Sequence, residues 1–267
     1  MRSPDGSQIA FSSDRRGDFD IYLMQPDGTR VRRVTRAAGV DHAPAWSPDG
    51  TLIAFEGGRG SLDDRAGPIE IVSAAGSGRR RLKALPIAFA PAWSPDGTRV
   101  AIGGRQAGAQ HDRVFVIDVR TGSRTPIAEK SAGGTYVLAL VDNGQVTRPV
   151  WSPDGELIAF AMGEAGDPLV WQFFVIVADA GGGDSDLVAD AHDAIGAFDP
   201  VWSDDGEKLA FFGGAAEDDL ALYSWRQGGY KELDCNDVRW LTPYLRIGAS
   251  PLGGETLAWQ PVVSGRR

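Results

Sequence analysis

Short runs rich in apolar residues recur along the chain, and each run follows the same tight turn. The runs include LIAF at 52–55 and KLAF at 208–211. A short apolar run bounded by turn residues indicates a β-strand. The turn before each run is Ser-Pro-Asp-Gly or Ser-Asp-Asp-Gly, in which Asp-Gly reverses the chain. The pattern therefore predicts antiparallel strands joined by tight turns.

The spacing of these turns predicts the architecture. Successive turns are 44, 47, 58 and 51 residues apart, with their first serines at Ser3, Ser47, Ser94, Ser152 and Ser203. One four-stranded propeller blade takes about 40–50 residues. We therefore predict an all-β fold, a single β-propeller domain of five four-stranded blades over residues 1–267. The predicted blades are approximately 1–42, 43–89, 90–147, 148–198 and 199–255.

The outer strands of each blade follow from further apolar runs. The third strand is predicted at 20–25, 69–74, 113–119, 173–179 and 220–225. The fourth strand is predicted at 31–35, 123–128 and 238–242.

The tail of the chain is predicted to close the ring. The head, RSPDGSQIAF, contains the repeated turn without the tryptophan that precedes it elsewhere. The tail segment TLAWQP, at 256–261, supplies Trp259 and is therefore predicted to form the first strand of blade one. The matching residues of the other blades are Trp46, Trp93, Trp151 and Trp202. An alternative alignment takes 250–259 as a degenerate sixth repeat, which would give six blades.

Composition excludes several classes of protein. The 35 glycines and 16 prolines suit many short strands joined by turns. No apolar run reaches 18 residues, so no membrane-spanning helix is expected. Cys235 is the one cysteine, which excludes a disulfide framework and a cysteine-built zinc site. The net charge of −9 argues against nonspecific nucleic-acid binding, which depends on neutralising phosphates.

Charge is unevenly distributed between the two halves. Residues 1–130 contain 19 basic and 15 acidic side chains, a balance of +4, whereas 131–267 contain 8 and 21, a balance of −13. A solvated surface is the simpler explanation, and steering of a cationic partner toward the second half is the alternative. Arginines surround the predicted fourth strands of blades one and two, where charge discourages edge-to-edge aggregation or binds an acidic partner. These basic residues are Arg30, Arg32, Arg33, Arg36, Arg79, Arg80, Arg81 and Lys83.

The repeated phrase resembles the repeats of TolB-type β-propellers. PAWSPDGTLIAF, at 44–55, contains the Trp-Ser-Pro-Asp-Gly turn and the IAF-like strand that mark those repeats, and its counterparts extend over nearly the whole chain. The resemblance implies a propeller fold and an interaction domain. TolB itself has six blades and a helical N-terminal domain, neither of which is visible in this sequence. Related repeats form caps on prolyl-oligopeptidase-like enzymes, but no GxSxG nucleophile motif occurs here.

Two repeated residue types are predicted to have structural roles. The turn aspartates precede glycine, where an Asx turn explains them. The tryptophans are predicted to fill the space between blades. The turn aspartates in question are Asp5, Asp49, Asp96 and Asp154.

The three histidines are the main candidates for chemistry. His42 and His192 are predicted in connections between blades, and His111 in the connection between strands two and three of blade three. Strand alternation places all these connections on one face of a propeller. The candidate binding residues on this loop face are Asp41, His42, His111, Asp112, His192, Asp193 and Asp199. Ordinary surface loops collect polar residues too, so a polar rim without chemistry is an open alternative.

Two functions are compatible with this pattern. The first is a TolB-like binding or scaffolding propeller that uses the loop face at the channel mouth for a protein partner or small ligand. The second is a metal-dependent hydrolase, in which His42, His192 and Asp199 hold a divalent metal that activates water in the central channel. Whether the protein is an enzyme stays open. We expect a monomer with no nucleic-acid partner, periplasmic or secreted if a leader precedes the head and cytoplasmic otherwise.

Overall fold

The described residues form antiparallel strands and turns. The computed structural model describes residues 1–59, 67–82, 85–109, 111–127, 145–167, 170–183, 185–189, 197–213, 221–226, 245–249 and 255–259. Every strand pair registered within these sheets is antiparallel, and no helix occurs in these ranges. The prediction of an all-β chain is confirmed for this part of the sequence.

One compact unit comprises residues 1–127 with 180–182. It contains three sheets, whose strand orders are β1-β2-β3, β4-β5-β6-β7 and β11-β10-β9-β8. The strands are β1 (Ile9–Arg16), β2 (Asp18–Met24), β3 (Arg32–Arg33), β4 (Val40–Trp46), β5 (Leu52–Arg59), β6 (Ile69–Ser73), β7 (Arg80–Arg81), β8 (Ile87–Trp93), β9 (Arg99–Arg105), β10 (Arg113–Asp118) and β11 (Arg124–Pro126). The sheets correspond to predicted blades one, two and three.

A second compact unit comprises residues 128–179 with 183–267. Its sheets correspond to predicted blade four, predicted blade five and a two-stranded sheet near the tail. The strands are β12 (Gln145–Val146), β13 (Val150–Trp151), β14 (Leu157–Asp167), β15 (Val170–Asp179), β16 (Ser185–Ala189), β17 (Ala197–Trp202), β18 (Lys208–Gly213), β19 (Ala221–Arg226), β20 (Leu245–Ala249) and β21 (Glu255–Trp259).

The third strands lie where the sequence predicts them, whereas the fourth strands are shorter. β3 and β11 keep only two and three residues of the predicted 31–35 and 123–128. The segment 238–242 lies outside the described residues. The outer strand of a blade has a neighbouring strand on one side only. Fewer of its residues are therefore held in the sheet by hydrogen bonds.

The closing strand and the blade count stay predictions. In the described structure β21 pairs with β20, from Leu245 opposite Trp259 to Ala249 opposite Glu255. The head also contributes to blade one, because Arg2 pairs with Ile9 and thereby takes the place that tryptophan holds in later repeats.

The Ser-Pro-Asp-Gly turns share one hydrogen-bond arrangement, which blade three illustrates. The Ser94 hydroxyl donates to Asp96 Oδ1 at 2.5 Å and accepts from the Arg99 N–H at 2.9 Å. The Gly97 N–H donates to the Ser94 carbonyl, and its φ of 70° suits glycine. The same serine–aspartate bond recurs at 2.5–2.6 Å in the other four turns. The predicted structural role of the turn aspartates is therefore confirmed.

Loss of one turn serine is expected to weaken the fold measurably. Ser94 is fully buried, so Ser94→Ala leaves the Arg99 N–H and Asp96 without their shared partner. We expect the free energy of unfolding to fall by about 1–2 kcal/mol, measured by urea denaturation. The control is Ser123→Ala on an exposed hairpin, with an expected change within about 0.5 kcal/mol. Equal losses at the two serines would contradict this role for Ser94.

Low pH is expected to destabilise the same turns. The Ser94 hydroxyl is the largest influence that holds the pKa of Asp96 below its ordinary value, and the corresponding serine does so in the other four turns. A lowered folded-state pKa stabilises the protein above the unfolded value of about 3.9, and this contribution is lost as pH falls through the folded-state pKa. Asp96 should therefore contribute less to the loss of folding stability at low pH in Ser94→Ala than in the native protein.

The repeated tryptophans are buried, as predicted. Trp46, Trp93, Trp151 and Trp202 have exposed fractions of 7–9%. Two of their indole N–H groups donate to the preceding repeat: Trp93 Nε1 to the Ala45 carbonyl at 3.1 Å, and Trp202 Nε1 to the Val150 carbonyl at 3.3 Å. In each case the acceptor is the residue before the tryptophan of the preceding blade.

Two arginines from the predicted basic clusters join neighbouring blades. Arg32 Nη2 donates to the Ala74 carbonyl at 2.6 Å, and Arg80 Nη2 donates to the Val119 carbonyl at 3.0 Å. Both donors lie in a short outer strand, and both acceptors follow the third strand of the next blade. This contact gives the exposed basic residues a structural role in addition to protection of the sheet edge.

Candidate functional site

Asp41, a predicted binding residue, belongs to a buried ion-pair network. Its side chain is fully buried, and both oxygens accept hydrogen bonds from Arg79, Oδ2 from Nη1 at 2.6 Å and Oδ1 from Nη2 at 2.9 Å. Arg79 Nε also donates to Glu70, and its guanidinium lies 5.1 Å from the centre of the Phe55 ring. The Gly58 N–H reaches Asp41 Oδ1 at 3.2 Å. Asp41 therefore stabilises blade two.

His42 lies within β4, whereas the sequence predicts it in a connection between blades. The strand begins two residues before it, and the strand pair shifts register between His42 and Ala45. Its Nε2 is 3.3 Å from Glu56 Oε2, a contact within blade two. The other oxygen of Glu56 accepts the Ala90 N–H at 2.7 Å, across the junction with blade three. Glu56 thus links His42 to the backbone of blade three.

Asp112 is likewise paired with an arginine. It is buried just before β10, and Arg105 Nε donates to its Oδ1 at 2.9 Å. His111 precedes it in the connection between strands two and three of blade three, as predicted. In blade one the buried carboxylate of Asp20 pairs with Arg33. Each blade of the first unit therefore holds a buried carboxylate against an arginine.

A backbone feature recurs in the first strands. Ala43, Ala90 and Asp199 have φ angles of 51°, 52° and 51°, in the left-handed region that non-glycine residues rarely adopt. Each lies three residues before the tryptophan of its blade and is followed directly by a proline. Each also lies where its strand pair shifts register. Arg148 holds the equivalent sequence position in blade four, although the left-handed φ is found only at the other three. We call these four sequence positions the bulge positions.

Asp199 differs from the other buried carboxylates. It is half-buried in β17, and burial raises its pKa above the ordinary value, an effect that the positive charge of Arg148 partly offsets. In the part of the chain that the structure describes, no hydrogen bond or ion pair reaches its carboxylate.

The described residues do not assemble a metal site. No group of three or more histidine, cysteine, aspartate or glutamate side chains comes together among them with suitable geometry. His192 and Asp193 lie outside the described residues. The metal site of His42, His192 and Asp199 therefore stays a prediction. The described ranges contain no helix long and apolar enough to cross a membrane.

Sequence reasoning missed the partners of the predicted site residues. Glu56 gives no signal because it occupies an ordinary alternating position of β5. Arg79 belongs to a cluster that charge on an exposed edge explains adequately, although it is in fact paired with a carboxylate 38 residues away. The proline before each repeated tryptophan could have indicated the bulge positions, since proline restricts the preceding residue.

The repeats match a known protein family. A family model described as a TolB beta propeller domain matches residues 2–84. This part of the chain is similar to TolB-type β-propellers. A TolB homologue of Chlorobium luteolum is 48% identical over 52 residues, and an uncharacterised peptidase of Bacillus subtilis is 43% identical over 67 residues. These matches cover 20% and 24% of this chain but only 12% and 10% of the two relatives.

Solved structures share the fold of this chain. A structure assigned to TolB from Agrobacterium tumefaciens aligns with a TM-score of 0.61 at 21% identity, covering 87% of this chain and 78% of that one. TolB from Acinetobacter baumannii aligns at 0.56 with 17% identity, covering 85% and 52%. The β-propeller domain of the Trilobed protease from Pyrococcus furiosus, which has an open velcro topology, aligns at 0.56 with 15% identity, covering 85% and 67%. At these identities the likeness concerns the propeller fold.

Proposed function

We propose that this protein is a binding propeller, with its blades as a scaffold and the loop face at the channel mouth as the surface for a protein partner or small ligand. The bulge positions carry this proposal. A non-glycine residue in the left-handed backbone conformation lowers folding stability by about 1–3 kcal/mol. Backbone strain of this kind clusters at ligand sites. Three repeats keep that backbone while their side chains differ, with alanine at Ala43 and Ala90 and a carboxylate at Asp199.

A rigid support for variable positions suits recognition. Glu56 fixes the bulge of blade three through the Ala90 N–H, and Arg79 fixes the start of β4 through Asp41. Binding residues are commonly carried by segments that a rigid scaffold positions. The bulge positions therefore combine a fixed backbone with side chains that can differ from blade to blade.

The metal-dependent hydrolase receives less support. Carboxylates that bind a metal must offer free oxygen atoms, whereas both oxygens of Asp41 are bound to Arg79. Asp112 is paired with Arg105. We therefore develop the binding function alone.

Steric blocking of the bulge positions tests this function. Arg148 and Arg120 are both exposed, and Arg120 lies in the hairpin between β10 and β11, at the opposite end of its blade. In a Cys235→Ser background, Arg148→Cys and Arg120→Cys are each labelled with a polyethylene glycol maleimide and used to capture a partner from an extract of the source organism. We expect the label at 148 to reduce capture at least tenfold and the label at 120 to leave it unchanged.

The unlabelled variants are the matched controls for folding and for loss of arginine. Equal capture by both labelled proteins, or no partner retained by either unlabelled protein, would refute the binding face at the bulge positions.

A further inference from the structure

Asp199 carries a charge where the equivalent residues of blades two and three carry none. Ala43 and Ala90 adopt the same left-handed backbone before proline with a methyl side chain. Aspartate adds a half-buried carboxylate at this strained position. Since the bulge forms with alanine, the carboxylate is not needed to build it.

The carboxylate of Asp199 lacks the compensation given to the other buried acids. Asp20, Asp41 and Asp112 each pair with an arginine. Among the described residues, no hydrogen bond or ion pair reaches the half-buried carboxylate of Asp199. A charged group taken partly out of water without a partner is costly. A cation from outside the chain would remove this cost.

We propose that Asp199 anchors a positively charged side chain, a lysine ammonium or an arginine guanidinium, of the protein partner that binds the loop face. This inference rests on the proposed function. The charge of the chain agrees with it, because residues 131–267 hold 21 acidic and 8 basic side chains. Such a field attracts a cationic segment toward this half.

Carboxyl-detected NMR of the ¹³C-labelled protein tests the anchor directly. The probe is Nα-acetyl-lysine methylamide, and the neutral control is the norleucine analogue, which has nearly the same shape. Asp205 serves as the internal reference, since it is exposed and accepts a hydrogen bond from Ser203. We expect the Asp199 resonance to follow a saturable curve with the lysine analogue only, and to shift at least ten times more than that of Asp205. A linear response equal to that of Asp205 would overturn the proposal.

A variant pair tests the anchor with the captured partner. Asp199→Asn keeps the shape of the side chain and tolerates a left-handed backbone. Asp204→Asn removes the same charge from an exposed position of the turn that follows β17. We expect Asp199→Asn to weaken binding of the partner at least tenfold and Asp204→Asn to weaken it less than twofold. Equal effects of the two substitutions would mean that net charge alone attracts the partner, and the anchor would be wrong.

The two proposals can fail separately. If the label at 148 blocks capture while the lysine analogue does not saturate Asp199, the proposed binding face is supported. The proposed anchor at Asp199 is then wrong. If the analogue saturates Asp199 while the label at 148 has no effect, the carboxylate binds cations and the proposed function is wrong.

Discussion

Replacement of Trp93 by alanine is expected to lower the free energy of unfolding by about 3–5 kcal/mol. Trp93 is 8% exposed and belongs to a cluster that joins blades two and three, with Leu82, Ile102 and Phe115 among its fully buried members. The substitution removes this packing and the hydrogen bond from Nε1 to the Ala45 carbonyl. Urea denaturation, followed by circular dichroism, measures the loss.

Trp93→Phe separates packing from hydrogen bonding. It retains most of the ring and removes the N–H donor, so we expect a smaller loss of about 1–2 kcal/mol. Alanine at Trp46, Trp151 and Trp202 should resemble alanine at Trp93, because all four side chains are buried to a similar degree. Losses below about 1 kcal/mol at all four positions would contradict a role between blades.

Replacement of Arg79 by methionine is expected to cost about 3–5 kcal/mol, because it leaves buried carboxylates without their cation. Asp41 is fully buried and Glu70 is 7% exposed, and both accept hydrogen bonds from this guanidinium. The control is Arg120→Met on an exposed hairpin, with an expected change within about 0.5 kcal/mol.

A second substitution at Arg79 distinguishes charge from packing. Arg79→Lys keeps a positive charge but removes the planar fork that bonds both carboxylates, so we expect it to lose less stability than Arg79→Met. Equal losses for Arg79→Lys and Arg79→Met would show that charge at this position contributes little.

The sequence predicts the fold of the described blades well because one local pattern is repeated. Ser-Pro-Asp-Gly specifies a turn through contacts within six residues, and alternating apolar residues specify the strand that follows. Each repeat confirms the assignment of the others. Short outer strands are less predictable, since a two-residue strand such as β3 carries almost no periodicity.

The candidate site was less predictable because its contacts are distant in sequence. The pairing of Asp41 with Arg79 spans 38 residues, and the contact of Glu56 with the Ala90 N–H spans 34. The left-handed backbone at Asp199 depends on the strand opposite it. Local patterns identified Asp41, His42 and Asp199 as unusual, but only the tertiary structure determines which of them is neutralised.

The contacts between blades suggest how such a protein can gain or lose repeats by gene duplication. Trp93 donates backward to the Ala45 carbonyl, and Arg80 donates forward to the Val119 carbonyl. Both acceptors are main-chain atoms, which every amino-acid sequence supplies. A copied blade would therefore find its hydrogen-bond partners beside any neighbour, without a matching mutation in that neighbour. Duplicated copies could then diverge at the bulge positions while their junctions stayed intact.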